Sequence, residues 1–395
     1  MSRTPRKCQV EAIQAFTGSD LQRKVTALPT GCGKTWMGIS LATQFKRVLW
    51  IAHRQELIWQ PLKTAKQYFP ELGLGLIFNT NNLGHRRFTV ASIQTLAHKE
   101  RLDFYLQYGK PDLIVVDEAH HSIAKSYMSV LEQCGGFAPG GAQVLGLTAT
   151  AERSRKTETI GDAFQDIVYY LSIPQAVSDG YLVPARSIKV RLPMDLAKLK
   201  QRDGDFDRTA LERELDQVRA AEAVAAAVAA HARGRKTAVF AISVSQSKRI
   251  ADLLTSYGFR AKHLDGMTSD AKRSLIIDQL MAGELDVVTN VNVLTEGWDD
   301  PGISCIVIAR PTKSRLVWIQ AAGRGLRTAP GKTDCLIIDT VGVSDLGLQT
   351  ADKIAIPEPV TRAGTSPGGG ADEIARIRSF LKKAHAAKIV VVAGD

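Results

Sequence analysis

A β-branched run at residues 25–28 leads straight into Leu28-Pro29-Thr30-Gly31-Cys32-Gly33-Lys34-Thr35, and a helical stretch, residues 36–44, follows at once. Strand, glycine-rich turn and helix in that order leave a chain few folds to choose from. The glycines let backbone N–H groups close around phosphate oxygens, and the helix N-terminus adds positive potential at the same point. Lys34 is placed to reach the β- and γ-phosphates of a nucleotide, and the Thr35 hydroxyl to ligate Mg²⁺. The strict spacing G-x-x-x-x-G-K-[ST] has glycine at its first position, where this chain has Leu28. The core of Thr30, Gly31, Cys32, Gly33, Lys34 and Thr35 is intact, and a bare glycine-rich turn without nucleotide is the alternative.

The same alternation continues along the chain. Strands are predicted at residues 25–28, 48–52, 88–91, 113–116 and 144–147, and a second series follows Tyr181-Leu182-Val183-Pro184, at 238–242, 261–264, 286–289, 305–309 and 335–339. Strands alternating with helical runs predict an α/β fold with parallel sheets and crossover helices. Ligands of such sheets gather at the carboxyl ends of strands. Residues 196–232, rich in Ala, Arg and Glu, predict one helix or two. With 395 residues, 45% of them hydrophobic, the chain can bury more than one core. The expected division is residues 1–180 and 181–350, joined by a connector near 172–186, with 351–395 as a linker and C-terminal helix. In that last segment Thr365-Ser366-Pro367-Gly368-Gly369-Gly370 reads as flexible. Beyond it Ile374, Ile377, Phe380, Leu381 and Ala384 mark one helical face, suited to docking on the second unit or on an accessory protein.

No apolar run approaches the roughly 18 residues of a membrane helix, and no apolar segment follows the basic start Arg3-Thr4-Pro5-Arg6-Lys7, so a secretory signal and a membrane role are not expected. Five scattered cysteines, never in a C-x-x-C pair, support neither a disulfide framework nor a zinc site. A cytoplasmic protein is the expectation. The net charge is +11, spread as +5, +4 and +2 over the three segments. An even excess suits a polyanion lying along both halves, and equally suits plain solubility.

Val115-Val116-Asp117-Glu118-Ala119-His120 ends another predicted strand. Beside a phosphate loop, Asp117 suits Mg²⁺, directly or through water. Glu118 suits orienting and deprotonating an attacking water, a role worth about 10²–10⁴ in rate. In the second half Gln320-Ala321-Ala322-Gly323-Arg324-Gly325-Leu326-Arg327 fits Q-x-x-G-R-x-x-R. Arginine presents planar donors to the charge that spreads over a transferring phosphoryl group.

In this order the elements resemble a helicase of superfamily 2, from about residue 5 to 340, with Asp117-Glu118-Ala119-His120 as a DEAH box. The resemblance implies two tandem RecA-like (P-loop NTPase) domains, ATP and Mg²⁺ as cofactors, and an ATP-dependent helicase or translocase. It places Arg6 and Gln9 in the adenine-reading segment. Residues 53–57 and 92–96 fall at the motifs that contact the nucleic-acid backbone, and Thr148-Ala149-Thr150 at the motif linking hydrolysis to strand binding. Residues 289–299 resemble motif V, giving Gly297 and Asp299 to the nucleotide, and the Q-x-x-G-R-x-x-R run resembles motif VI, giving Gln320, Arg324 and Arg327 to catalysis. His120 then couples the nucleotide to Gln320, while His121 is expected in solvent, His53 in a structural place and Trp298 packed under its loop. Strand contacts are expected from Arg54, Gln94, Thr95, Ser243, Ser245 and Thr289.

DEAH-box RNA helicases usually read Q-R-x-G-R-x-G-R, and here Ala321 and Leu326 stand at the corresponding Arg and Gly. Residues 323–339 look most like the RadD-like and XPB-like DNA helicases, whose members act in DNA repair, though no cysteine-rich zinc region follows. DNA, single-stranded, forked or duplex, is therefore the expected partner, with RNA second. A duplex translocase, annealer or remodeller that separates no strands, and a nucleotide-responsive clamp, remain as alternatives. A ring-forming ATPase is disfavoured, since rings take their arginine from a neighbouring subunit.

Overall fold

The computed structural model describes residues 4–149, 160–190, 192, 199, 201–202, 205–291, 293–294, 300–310 and 315–339. The chain divides into two compact units, with the break between Ser172 and Ile173.

In the first unit the elements run α1 (Lys7–Thr17), β1 (Arg23–Ala27), α2 (Lys34–Ala42), β2 (Val48–Ala52), α3 (Gln55–Tyr68), β3 (Leu74–Phe78), β4 (Asn81–Asn82) and β5 (Phe88–Ser92). After these come α4 (Ile93–Leu96), α5 (Lys99–Leu106), β6 (Leu113–Asp117), α6 (Lys125–Gln133), β7 (Gln143–Thr148) and β8 (Asp166–Tyr170). The sheet order is β4-β3-β5-β2-β6-β7-β1-β8, parallel throughout except for β4. Strands β2, β5 and β6 are buried at every residue, as expected of strands covered by helices on both faces. Each buried Val, Leu or Ile contributes about 1.5–3 kcal/mol. Packing of α2 on the sheet needs Gly38, where an added Cβ would lie 2.9 Å from the Trp50 ring. The far end of α1 is closed by the buried Lys24, whose Nζ donates to the carbonyls of Phe16 and Ser19, each at 2.8 Å.

The second unit holds α7 (Ile173–Ser178), β9 (Ala185–Lys189), β10 (Gln201–Arg202), β11 (Asp205–Phe206), α8 (Arg208–Gln217), α9 (Ala220–His231) and β12 (Thr237–Phe240). Then follow α10 (Val244–Ser256), β13 (Ala261–Leu264), α11 (Asp270–Ala282), β14 (Val287–Asn290), β15 (Cys305–Ile308), α12 (Arg315–Gly325) and β16 (Cys335–Asp339). Its main sheet, β13-β14-β12-β15-β16-β9, is parallel throughout. Two parallel-dominated sheets in tandem are the RecA-like architecture.

Every predicted strand has a counterpart, displaced by no more than two residues at an end. Among the unpredicted strands, β3, β8 and β9 are only partly buried: β3 has Ile77 as its one β-branched residue, β8 has only Ile167 and Val168, and β9 interleaves Arg186, Ser187 and Lys189 with its apolar residues. Of the one or two helices expected over 196–232 the structure has two, and the first starts later than expected. Residues 201–202 and 205–206 form a short antiparallel pair instead, and Asp207 opens α8 by accepting the Ala210 N–H at 2.9 Å. The linker at 365–370, the helix expected beyond it, Trp298 and Thr150 lie outside the described residues.

Candidate nucleotide and strand site

The loop after β1 is built by tying its carbonyls backward. Arg6 Nη1 donates to the Gly31 carbonyl at 2.7 Å, and Gln9 Nε2 to those of Cys32 and Gly33 at 3.1 and 3.2 Å. Gln9 Oε1 accepts the Arg6 N–H at 2.9 Å, so the two residues brace each other. Lys34 Nζ donates to the Leu28 carbonyl at 3.2 Å, across the mouth of the loop. In a trans peptide the next N–H points opposite to the carbonyl. With the Cys32 and Gly33 carbonyls turned toward α1, the N–H groups of Gly33 and Lys34 face the other way. Gly31 (φ 93°) and Gly33 (φ 83°) adopt the left-handed region this path requires. Gly33 also caps α2, so the positive end of the helix opens at the same place.

Strand β7 lies between β1 and β6, with Ala27 opposite Thr148 and Asp117 opposite Leu147. The phosphate loop and the two carboxylates thus leave one sheet edge two strand spacings apart, about 10 Å. Asp117 is buried at the end of β6, and its Oδ1 accepts the Glu118 N–H at 3.0 Å. Glu118 itself is left-handed (φ 51°), a conformation that costs a side-chain-bearing residue free energy and recurs at functional sites. Its Oε2 lies 3.4 Å from Nδ1 of the buried His120. His121 is not in open solvent as expected: its ring is half-buried, 4.3 Å from His120 and 4.1 Å from His53 between centroids. Left-handed glycines, a helix N-terminus, Lys34, Thr35 and a buried carboxylate across the strand end fit a Mg²⁺–nucleotide.

In the second unit Gln320 and Arg324 ride on α12 and Arg327 follows it, all three buried. Packing fixes the helix. An added Cβ at Gly325 would fall on Cys335 Sγ and 2.7 Å from Ile306 Cγ1, and Trp318 is buried alongside. The chain leaving α12 bridges antiparallel to Leu182, and Val183 N–H donates to the Leu326 carbonyl at 2.8 Å. Burial pushes the Arg327 guanidinium down to about 10, still charged near neutrality. Gly297 and Asp299 lie outside the described residues.

The residues expected at a strand divide differently. Gln94 is exposed, with Nε2 donating to the His53 carbonyl at 2.9 Å and Oε1 accepting from Ser92 Oγ at 2.7 Å. Thr95 Oγ1 accepts the Asn79 N–H at 3.3 Å, and Arg54 caps α3, half-buried. Ser243, against the expectation, is buried and caps α10 through the Gln246 N–H, while Ser245 donates to Glu212 Oε1 at 2.9 Å. Thr289 corrects the expectation: it is fully buried, donates to the Ser247 carbonyl at 2.9 Å, and presents no surface to a strand. The same place holds a group that sequence spacing missed. Ser247 Oγ meets His263 Nδ1 at 2.7 Å, and His263 Nε2 meets Asp265 Oδ2 at 3.0 Å. The Ser-His-Asp order is that of a hydrolase triad, but the two ring nitrogens are exchanged and Ser247 is fully buried, so it cannot attack a substrate. It ties α10 to β13 and β14. No local signal joins residues 247, 263, 265 and 289, because separate elements and loops carry them.

A phosphate loop on one parallel sheet, followed by a motif VI helix on a second, defines the class: a two-domain helicase of superfamily 2. The chain belongs to that family. Residues 2–153 match the family model "Type III restriction enzyme, res subunit". Residues 219–329 match "Helicase conserved C-terminal domain". The chain is 32% identical over 367 residues to "Putative ATP-dependent helicase IRC3" of Saccharomyces cerevisiae, covering 88% of this chain and 52% of that protein. It therefore spans about half the length of that relative. Among solved structures it resembles the type ISP restriction-modification enzyme LlaBIII bound to DNA (TM-score 0.63, 16% identity, 86% of this chain and 28% of that one). It also resembles a single-substitution variant of S. cerevisiae Dbp5 bound to RNA and ADP BeF3 (TM-score 0.61, 18% identity, 96% and 94%).

Proposed function

We propose that this chain is an ATP-driven nucleic-acid motor of DEAH type, working on DNA. The braced phosphate loop carries the proposal: Arg6, Gln9 and Lys34 hold its carbonyls back, which turns the Gly33 and Lys34 N–H groups the other way, toward an anion. Lys34, Thr35 and Asp117 bind Mg²⁺–ATP, with Arg6 and Gln9 holding the loop. Mg²⁺, when bound, neutralises charge on the β- and γ-phosphates. Glu118 orients the attacking water and takes its proton, and His120 holds that carboxylate in place. Arg324 and Arg327 meet the charge that develops on the γ-phosphate, so hydrolysis is tied to movement of the second unit. Arg54, Gln94, Thr95 and Ser245 grip the backbone of the strand without reading its sequence.

DNA is favoured by the motif VI sequence and by the restriction-enzyme family model. A cytoplasmic location is supported by the five cysteines, all buried thiols outside any disulfide, which suit a reducing compartment. Among the described residues no helix is long and apolar enough to cross a membrane. Steady-state ATP hydrolysis at low, fixed salt tests the proposal, run without nucleic acid, with single-stranded DNA, with forked and duplex DNA, and with RNA. DNA is expected to stimulate turnover most, and Lys34→Ala is expected to remove about a hundredfold or more. A rate that no nucleic acid changes sinks the motor. Greatest stimulation by RNA replaces DNA as the track, and stimulation by duplex without strand separation leaves a translocase.

A further inference from the structure

Trp59 differs from the other tryptophans among the described residues. Trp36, Trp50 and Trp318 are buried, whereas Trp59 is 45% exposed. It lies in the second turn of α3, just after Arg54. Its indole meets the ring of Phe78 at 6.2 Å between centroids and 83° between planes. An edge-to-face contact covers at most one face of the indole, so Phe78 fixes the ring and leaves a face open.

The place is informative. Phe78 ends β3, which runs parallel to β5 with Ile77 opposite Ala91, so it lies at the carboxyl edge that also carries Gln94 and Thr95. The next residue, Asn79, donates to Thr95 Oγ1 at 3.3 Å, and Arg101 Nη2 donates to the Asn79 carbonyl at 3.3 Å. Along α3, Lys63 and Lys66 follow Trp59 at i+4 and i+7, on one face of the helix, and both are exposed. Glu56, the acidic residue of the first turn, is half-buried. An open aromatic face followed by evenly spaced cations is the composition of a groove for unpaired nucleic acid, in which bases stack and phosphates pair.

We infer that Trp59 is a base-stacking platform for an unpaired strand, with Phe78 as its backing and Lys63 and Lys66 on the flanking phosphates. This rests on the nucleic-acid function proposed above and adds a substrate form to it. Bases inside a duplex are already stacked on one another, so only an unpaired strand can use the platform.

The test is fluorescence anisotropy at fixed salt with an oligothymidylate of about 16 nucleotides, an abasic strand of the same length, and the matching duplex. The parent, Trp59→Ala, Trp59→Phe and the double variant Lys63→Ala/Lys66→Ala are compared. Trp59→Ala is expected to bind oligothymidylate about tenfold more weakly and the abasic strand as the parent does, while Trp59→Phe keeps most of the affinity. Oligothymidylate quenches tryptophan fluorescence of the parent and leaves that of Trp59→Phe unchanged. The double variant flattens the slope of log K against log salt by about 1.4. Equal binding of oligothymidylate by the parent and Trp59→Ala overturns the platform alone. Equal loss on the abasic strand also overturns it, because the loss is then not of stacking. A parent that binds no strand at all overturns the platform and the nucleic-acid function together.

Discussion

In the proposed motor, the two units present phosphate-directed chemistry by opposite means. On the first sheet the loop after β1 offers backbone N–H groups beside Lys34 and Thr35, while Arg6 and Gln9 from α1 and its cap hold the loop carbonyls aside. In the second unit the chemistry sits in the guanidinium groups of Arg324 and Arg327, which have no substitute in the main chain. Their placement depends on how tightly α12 lies on β15 and β16. Apart from Lys34 and Thr35, a backbone site tolerates changes of side chain that keep its turn, whereas a side-chain site fails with one substitution. Glu118 stands between the two, a side chain presented by a strained backbone.

The largest effect is expected at Arg324. Arg324→Ala should lower ATP turnover by about 10³–10⁵, and Arg324→Lys should recover little, because a point charge cannot present a planar pair of donors. Steady-state turnover with saturating nucleic acid measures both, and near-complete rescue by lysine would erase the contrast between the units. Next comes Glu118→Gln, expected to cost about 10²–10⁴ in turnover while nucleotide binding survives. Equilibrium binding of a labelled nucleotide beside the rate separates these, and equal loss of both would make Glu118 a structural residue.

Gly325→Ala probes packing under the arginines. Its Cβ would overlap Cys335 Sγ, at a cost of about 1–3 kcal/mol in stability read by chemical denaturation. A neutral result would mean that α12 can shift away without loss. A smaller effect is expected in acid. The hydrogen bond from His263, with those from Thr268 and the Met267 N–H, pulls the Asp265 carboxyl down from 3.8 to about 2. A depressed carboxyl contributes stability that is full above its unfolded value and fades as pH falls from about 3.8 toward 2. Parent and Asp265→Asn should therefore converge in melting temperature across that window, and a difference that persists below it would deny the linkage. The smallest change is expected from Cys32→Ala in the phosphate loop. Its backbone serves the site, so the KM for ATP should move by no more than about threefold.

Much of the site could be read from short stretches of sequence. Residues 28–35 follow a strand and open a helix, and Asp117-Glu118 end another strand, because glycine tolerance, capping and β-branched propensity all act within a few residues. Strand β9 escaped because it is short and half-exposed, with Arg186 and Lys189 interrupting its apolar residues. Thr289 misled for the opposite reason. At a strand end a threonine looks available, and only the packing of α10 over it buries the hydroxyl. The stack of His53, His121 and His120 was equally hidden, since it joins the ends of two strands that are neighbours in the sheet but far apart in the chain.

The sequence by itself determined the kind of fold, the phosphate loop, the acidic strand end and the paired arginines. Each of these is written in the spacing of neighbours, and local backbone geometry is fixed by neighbours. Only the tertiary structure decided that Arg6 and Gln9 hold the carbonyls of Gly31, Cys32 and Gly33, that Glu118 is left-handed beside a buried His120, and that Trp59 stays exposed on Phe78. Burial and hydrogen-bond pairing depend on which distant segments the sheets bring together, and that is settled by the packing of the whole unit.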